Sequence, residues 1–168
     1  MSHFDLWRPL QLVPGDTFTG GVEGPSCDAE GVLYACNYKQ NGTIGRVDKE
    51  GHHELFLELP QPSIGNGMVF DVHGTMYIAD YVGHNVYKVN MQTKKLSLHA
   101  HERRMNQPND LAIMQNGIIF ASDPNWSNST GQLWQIDIDG KTTLLELNMG
   151  TTNGLEVSPE EKTLYINE

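Results

Sequence analysis

The chain has 168 residues, 38% of them apolar, with 21 acidic against 11 basic side chains and a formal charge of −10. That balance argues against nucleic acid as a partner, since no basic stripe is available to neutralise phosphates, and no apolar run is long enough to span a bilayer. Residues Met1 to Asp5 lack the basic and apolar regions of an export signal, so a cytoplasmic location is expected, with Cys27 and Cys36 as free thiols or, alternatively, a cross-strand pair.

The first element opens at Glu23, where Glu23-Gly24-Pro25-Ser26-Cys27 reads as a short strand entering the turn Asp28-Ala29-Glu30-Gly31. Aspartate at the first turn position and glycine at the last suit a tight reversal, and Val32-Leu33-Tyr34-Ala35 returns as a second strand of β-forming residues. Strands over 44–48 and 54–59 complete the unit. The pattern restarts at Asn66, with the turn Asp71-Val72-His73-Gly74 and later strands over 86–90 and 95–99. It restarts again at Asn109, with the turn Gln115-Asn116-Gly117 and strands over 133–137 and 142–147, and once more at Asn153, with the turn Ser158-Pro159-Glu160-Glu161. The starts lie 43 or 44 residues apart, and an aromatic column of Tyr34, Tyr77, Phe120 and Tyr165 keeps the register.

Four strands per repeat of roughly 40 to 45 residues is the pattern of a propeller blade. The expectation is one all-β domain over 1–168, with four-stranded antiparallel blades at 23–65, 66–108 and 109–152 and a partial blade at 153–168. Such rings close with about four to eight blades. A longer natural chain or a second chain would complete this one; a third route has residues 10–13 adding an outer strand to the fourth blade.

Glu23, Asn66, Asn109 and Asn153 occupy equivalent positions at the start of each inner strand, the strand that lines a propeller's axis. One carboxylate and three amides would converge at one end of the channel. Such hard oxygen donors suit Ca²⁺, Mg²⁺ or Mn²⁺, and the imidazoles and thiolates that Zn²⁺ usually takes are missing from the set; Ca²⁺ is expected first, with zinc or manganese an adventitious second. Hydration of a polar channel is the competing reading. A second polar column, Asn37, Asp80, Asp123 and Glu168, falls six residues after the turn positions Gly31, Gly74, Gly117 and Lys162. These residues are expected to rim the same mouth and contact substrate, Asp123 foremost, or else to cap hairpins. The histidines form no ligand spacing: His3 is near the terminus, His52, His53 and His73 are at turns, and His99 and His101 are placed in a loop before Asn109. No phosphate-binding glycine loop or GxSxG elbow is present.

The motifs Glu23-Gly24-Pro25, Pro108-Asn109-Asp110 followed by Phe120-Ala121-Ser122-Asp123-Pro124, and Asn153-Gly154-Leu155 followed by Leu164-Tyr165-Ile166-Asn167-Glu168 are together fairly specific. Through them nearly the whole chain resembles the six-bladed propellers of the gluconolactonase, regucalcin and luciferin-regenerating family. The resemblance implies a divalent metal in the channel held by Glu23, Asn109 and Asn153, three of the four repeat positions, with Asn66 the fourth; Asn66 and Asp110 are expected to contact substrate. It also implies a further aspartate, ligand and catalytic base, in a later blade beyond Glu168. Where some members carry a sugar-acid-binding arginine, this chain has Gln107, which puts an aldonolactone in question.

The activity implied is metal-assisted opening of a small lactone, the cation polarising the carbonyl while a carboxylate activates water. With the base outside the sequence, this chain by itself is expected to be nearly inactive unless another segment or copy supplies it, since general-base assistance is typically worth about 10²–10⁴ in rate. The alternatives are a phosphotriesterase-like metal hydrolase and a noncatalytic propeller that binds protein on its face.

Overall fold

The computed structural model describes residues 9–168; Met1 to Asp5, including His3, lie outside them. Every regular element among the described residues is a strand, and no helix is long and apolar enough to cross a membrane. The first sheet contains β1 (Phe18–Cys27), β2 (Leu33–Tyr38), β3 (Thr43–Val47) and β4 (His53–Glu58), in that order. The second contains β5 (Gly65–Phe70), β6 (Met76–Asp80), β7 (Asn85–Asn90) and β8 (Lys95–His101), and the third β9 (Leu111–Ile113), β10 (Ile119–Asp123), β11 (Gln132–Ile136) and β12 (Thr142–Glu146). The hairpin β13 (Leu155–Val157) and β14 (Leu164–Ile166) begins a fourth blade. All pairings within the sheets are antiparallel between consecutive strands, the meander expected of propeller blades.

One turn chemistry recurs at four of these hairpins. At Asp28, Asp48, Asp71 and Asp137 the carboxylate accepts the backbone N–H groups two and four residues on, as Asp71 Oδ1 does from His73 and Thr75 at 2.9 and 2.8 Å. The glycine three residues on, Gly31, Gly51, Gly74 or Gly140, donates its N–H to the aspartate carbonyl and takes a positive φ of 78–85°. Glycine reaches that backbone region without the steric cost a side chain incurs. At Ser158 the hydroxyl oxygen accepts from Lys162 and Thr163 instead, and Glu161 adopts the positive φ.

The apolar core lies between blades. Successive strand residues point to opposite faces, and β6 uses both: Met76 and Ile78 pack with Tyr34, Cys36, Ile44 and Met68 toward the first blade. Tyr77 and Ala79 pack with Leu111, Ile119, Ala121 and Trp134 toward the third. Ala112, Leu133 and Leu155 form the smaller core against the fourth. Charged and polar side chains reinforce the second seam. Glu102 receives Arg104 at 2.7 Å and the Thr142 hydroxyl at 3.1 Å, and the Arg104 guanidinium stacks 5.1 Å above the Trp134 ring.

Two expectations are corrected, and of the two readings of the cysteines the free thiols hold. Residues 10–13 form no strand, and the Leu12 carbonyl lies against the Gly51 turn of the first blade, so this segment does not complete the fourth. Cys27 and Cys36 are both free thiols; in the β1–β2 ladder Cys27 faces Leu33 and Cys36 faces Glu23. His101 is not in a loop but joins His99 in β8, which runs two residues past the expected 95–99, with His99 edge-on to Tyr77 at 5.0 Å.

Candidate functional site

The chain passes each inner-strand start irregularly. Glu23 lies between two register breaks of the β1–β2 ladder, Asn66 falls in the break between Gly65 and Met68, and Asn109 and Asn153 precede β9 and β13 by two residues. Such irregularities re-aim a side chain away from the alternation of a strand. The four residues line one cavity of about 480 Å³. They also line a smaller one of about 230 Å³ whose wall includes Gly24, Gly67 and Asp110, so they stand between the two spaces.

Close approach of the inner strands explains the residue following each of them. The Gly67 N–H donates to the Asn109 carbonyl at 2.6 Å, and a Cβ on Gly67 would fall 2.6 Å from the Asp110 Cα. A Cβ on Gly24 would overlap the Asn66 carbonyl in the same way. The Asn66 carbonyl also accepts from the Cys36 thiol at 3.0 Å, and burial pushes that thiol's pKa well up, leaving it an unreactive packing group.

Among the described residues, the Glu23 carboxylate and the Asn66, Asn109 and Asn153 amides receive and donate no hydrogen bond; the bonds at these positions are made by the backbone. The second column is the opposite case. Asp123 is fully buried and accepts from Asn106 N at 2.7 Å, Gln107 N at 2.6 Å and Trp134 Nε1 at 3.1 Å. Burial raises its pKa, and those donors pull it back only in part. Asp80, also fully buried, accepts from Ile64, Val82 and Gly83 N–H groups and from the Asn85 amide. Asn37 spans Gly42 N and Gly21 O.

Thus Asp80 and Asp123 do not reach the cavity as substrate contacts. They are braces, each tying the loop that leads into an inner strand to its own blade. Asn37 does both, bracing and lining the cavity, while Glu168 is exposed and lies against Gly150. Asp110 is placed on the far side of the four-residue column, its Oδ2 accepting from Leu155 N at 2.9 Å, with its pKa raised by burial. It stitches the third blade to the fourth and is absent from the lining of the larger cavity.

Tyr81 and Trp126 line the larger cavity and were not among the candidates. They sit in the loops between the second and third strands, whose length differs from blade to blade, so the repeat alignment carries no signal there. A separate acidic group, Asp48, Glu50 and His52, gathers at an outer turn, but Asp48 Oδ1 already serves the Glu50 and His52 N–H groups. The channel donor set fits a hard divalent cation better: one carboxylate and three side-chain amides that line the same cavity without hydrogen-bond partners among the described residues, and no histidine or cysteine among the described residues that line it.

Four-stranded blades arranged so that equivalent inner-strand starts meet at one cavity define a β-propeller, of which this chain contains three blades and the inner hairpin of a fourth. Residues 21–168 match the family described as the SMP-30/gluconolactonase/LRE-like region, and the chain belongs to that family. It is similar to a gluconolactonase of Zymomonas mobilis subsp. mobilis, 28% identical over 116 residues, which are 60% of this chain and 32% of that protein. The crystal structure of a Xanthomonas campestris gluconolactonase superposes with a TM-score of 0.73 at 20% identity, covering 95% of this chain and 56% of the other. A calcium-binding regucalcin from Agrobacterium tumefaciens gives 0.72 at 21% identity, covering 90% and 52%. The chain therefore spans about half the length of these solved structures and about a third of the curated relative.

Proposed function

We propose that the chain carries the metal-binding half of a lactone-opening hydrolase. The observation that supports it is the Glu23, Asn66, Asn109 and Asn153 cluster, four residues that line one cavity and whose side chains make no hydrogen bond among the described residues. Glu23 would supply the negative charge, and Asn109 and Asn153 neutral oxygens, to a Ca²⁺ ion, with Asn66 as a neighbouring donor to ion or substrate. When bound, such an ion supplies a Lewis acid for the carbonyl oxygen of an ester.

The protein's own contribution is positioning. The braces at Asn37, Asp80 and Asp123 hold the loops around the cavity in one geometry, so a ligand meets donors that need little reordering. Family membership and the gluconolactonase relatives favour a lactone over a phosphotriester as the substrate.

The test is calcium-dependent thermal stability together with lactone hydrolysis, on the native chain beside Glu23→Gln and Asn153→Asp. A ligand that binds the native state alone at about 100 times its Kd stabilises by about 2.7 kcal/mol. A calcium-induced rise in Tm that Glu23→Gln removes supports the centre, and slow lactone turnover requiring the same carboxylate supports the reaction. A native chain whose Tm ignores calcium would sink the metal assignment.

A further inference from the structure

Tyr81 and Trp126 sit on loops tied back to their blades by hydrogen bonds, and both reach solvent. Tyr81 donates its backbone N–H to the Ile64 carbonyl at 3.2 Å and is flanked by Val82 and Gly83, whose N–H groups end on Asp80. Trp126 is 50% exposed. It follows Asn125, whose carbonyl accepts from Asn128 and Ser129 and whose amide reaches Asn106 Oδ1 at 3.4 Å. Asn106 is in turn bound to Asp123, so Trp126 and Gln107 hang from one buried anchor. Large aromatic side chains fixed on braced loops at the wall of a cavity are poor choices for solubility and good ones for a flat apolar ligand face.

The charge lining the same cavity is equally one-sided. Of its described lining residues only Glu23 is ionic; Asn37, Asn41 and Gln107 offer neutral amides, and neither lysine nor arginine is present. A Ca²⁺ ion held there would offset Glu23 locally, so what disfavours an anionic substituent is the lack of a cationic side chain to pair with it, together with the long-range field of a chain of charge −10. We infer that the site selects an uncharged lactone bearing an apolar or aromatic substituent, which packs on Tyr81 and Trp126, over lactones bearing a carboxylate. This inference rests on the hydrolase reading for the reacting ring and on Tyr81, Trp126 and Gln107 for the choice of substituent.

The experiment measures calorimetric binding of three non-hydrolysable γ-lactams to the calcium-equilibrated chain, their ring carbon next to nitrogen bearing phenyl, hydroxymethyl or carboxylate. The phenyl compound is expected to bind about tenfold tighter than the hydroxymethyl one, the ratio that about 1.4 kcal/mol of stacking and burial gives, and the carboxylate to bind most weakly. Trp126→Ala and Tyr81→Ala should each reduce the phenyl preference to about threefold or less, Trp126→Phe should keep most of it, and Gln107→Arg should raise carboxylate binding about tenfold by supplying a charged donor. Equal or tighter binding of the carboxylate by the native chain, a phenyl preference unchanged in both alanine variants, or no binding of any lactam overturns the inference. Lactone turnover is followed in parallel. Turnover without an aryl preference sinks this inference and leaves the hydrolase reading standing, whereas aryl binding that follows Trp126 but is indifferent to calcium and to Glu23→Gln supports the aromatic wall and counts against the hydrolase reading.

Discussion

The two polar columns of this protein come from the same repeat of 43 to 45 residues and have opposite fates. At the inner-strand starts, Glu23, Asn66, Asn109 and Asn153 keep their side-chain oxygens uncommitted and turned to a cavity. At the ends of the second strands, Asn37, Asp80 and Asp123 give nearly every acceptor to the protein's own N–H groups. A polar side chain that repeats in register is therefore not informative until its partners are counted. Removing a residue from the second column orphans several buried donors, while removing one from the first orphans none.

That contrast can be broken most forcefully at Asp123. Asp123→Ala should cost about 3 kcal/mol or more in urea unfolding, since each buried donor left unsatisfied costs about 1–3 kcal/mol; a loss under about 1 kcal/mol would mean the brace is dispensable. Gly67→Ala comes next. A methyl group 2.6 Å from the Asp110 Cα forces the second and third inner strands apart, and overpacking of this kind typically costs about 1–3 kcal/mol. A variant as stable as the native chain would show that the strands yield freely. Glu23→Gln and Asn109→Ala should change calcium-free stability by no more than about 0.5 kcal/mol, yet remove or weaken the calcium response; a large calcium-free loss would place the first column among the braces.

The smallest effect sharpens the comparison from outside both columns. Hydrogen bonding from Arg104 holds the Glu102 carboxyl at a pKa of about 2, below its ordinary 4.5. Because the folded value is the lower one, the clamp's stabilisation is present above pH 4.5 and is lost as pH falls toward 2. The Tm gap between the native chain and Glu102→Gln should accordingly shrink over that window and stay flat from pH 6 to 8. Glu102 is close to solvent, so screening keeps the gap small.

Much of this was legible in the sequence. Most strand positions came out within one or two residues, because turn residues and alternating apolar residues mark the hairpins; the exceptions are in the first blade, where β1 begins at Phe18, five residues before the expected Glu23, and β2 runs on to Tyr38, three residues past Ala35. The first column was legible for the same reason, an exact repeat of position. The second column was misread at Asp80 and Asp123 because spacing records where a side chain starts and not which backbone donors surround it. Asp110 was misplaced on similar grounds, its carboxylate being claimed by the Leu155 N–H across a seam that sequence does not display. Tyr81 and Trp126 escaped altogether, since they lie in loops of unequal length where no register survives.

The division of the core into seams between neighbouring blades has a bearing on how the molecule opens. With each blade in contact chiefly with the next, cooperativity is passed along a line, as in repeat proteins, where unit and interface energies add in sequence. The strand β6, apolar on both faces and enclosed on both, sits deepest in that line, while β13 and β14 share only the small third seam. Amide protons should then exchange in a gradient that runs from the second blade toward the fourth, so the Asn153 end of the proposed metal cluster breathes on a faster clock than the Asn66 end, and an ion bound there would act as a latch on the looser partner.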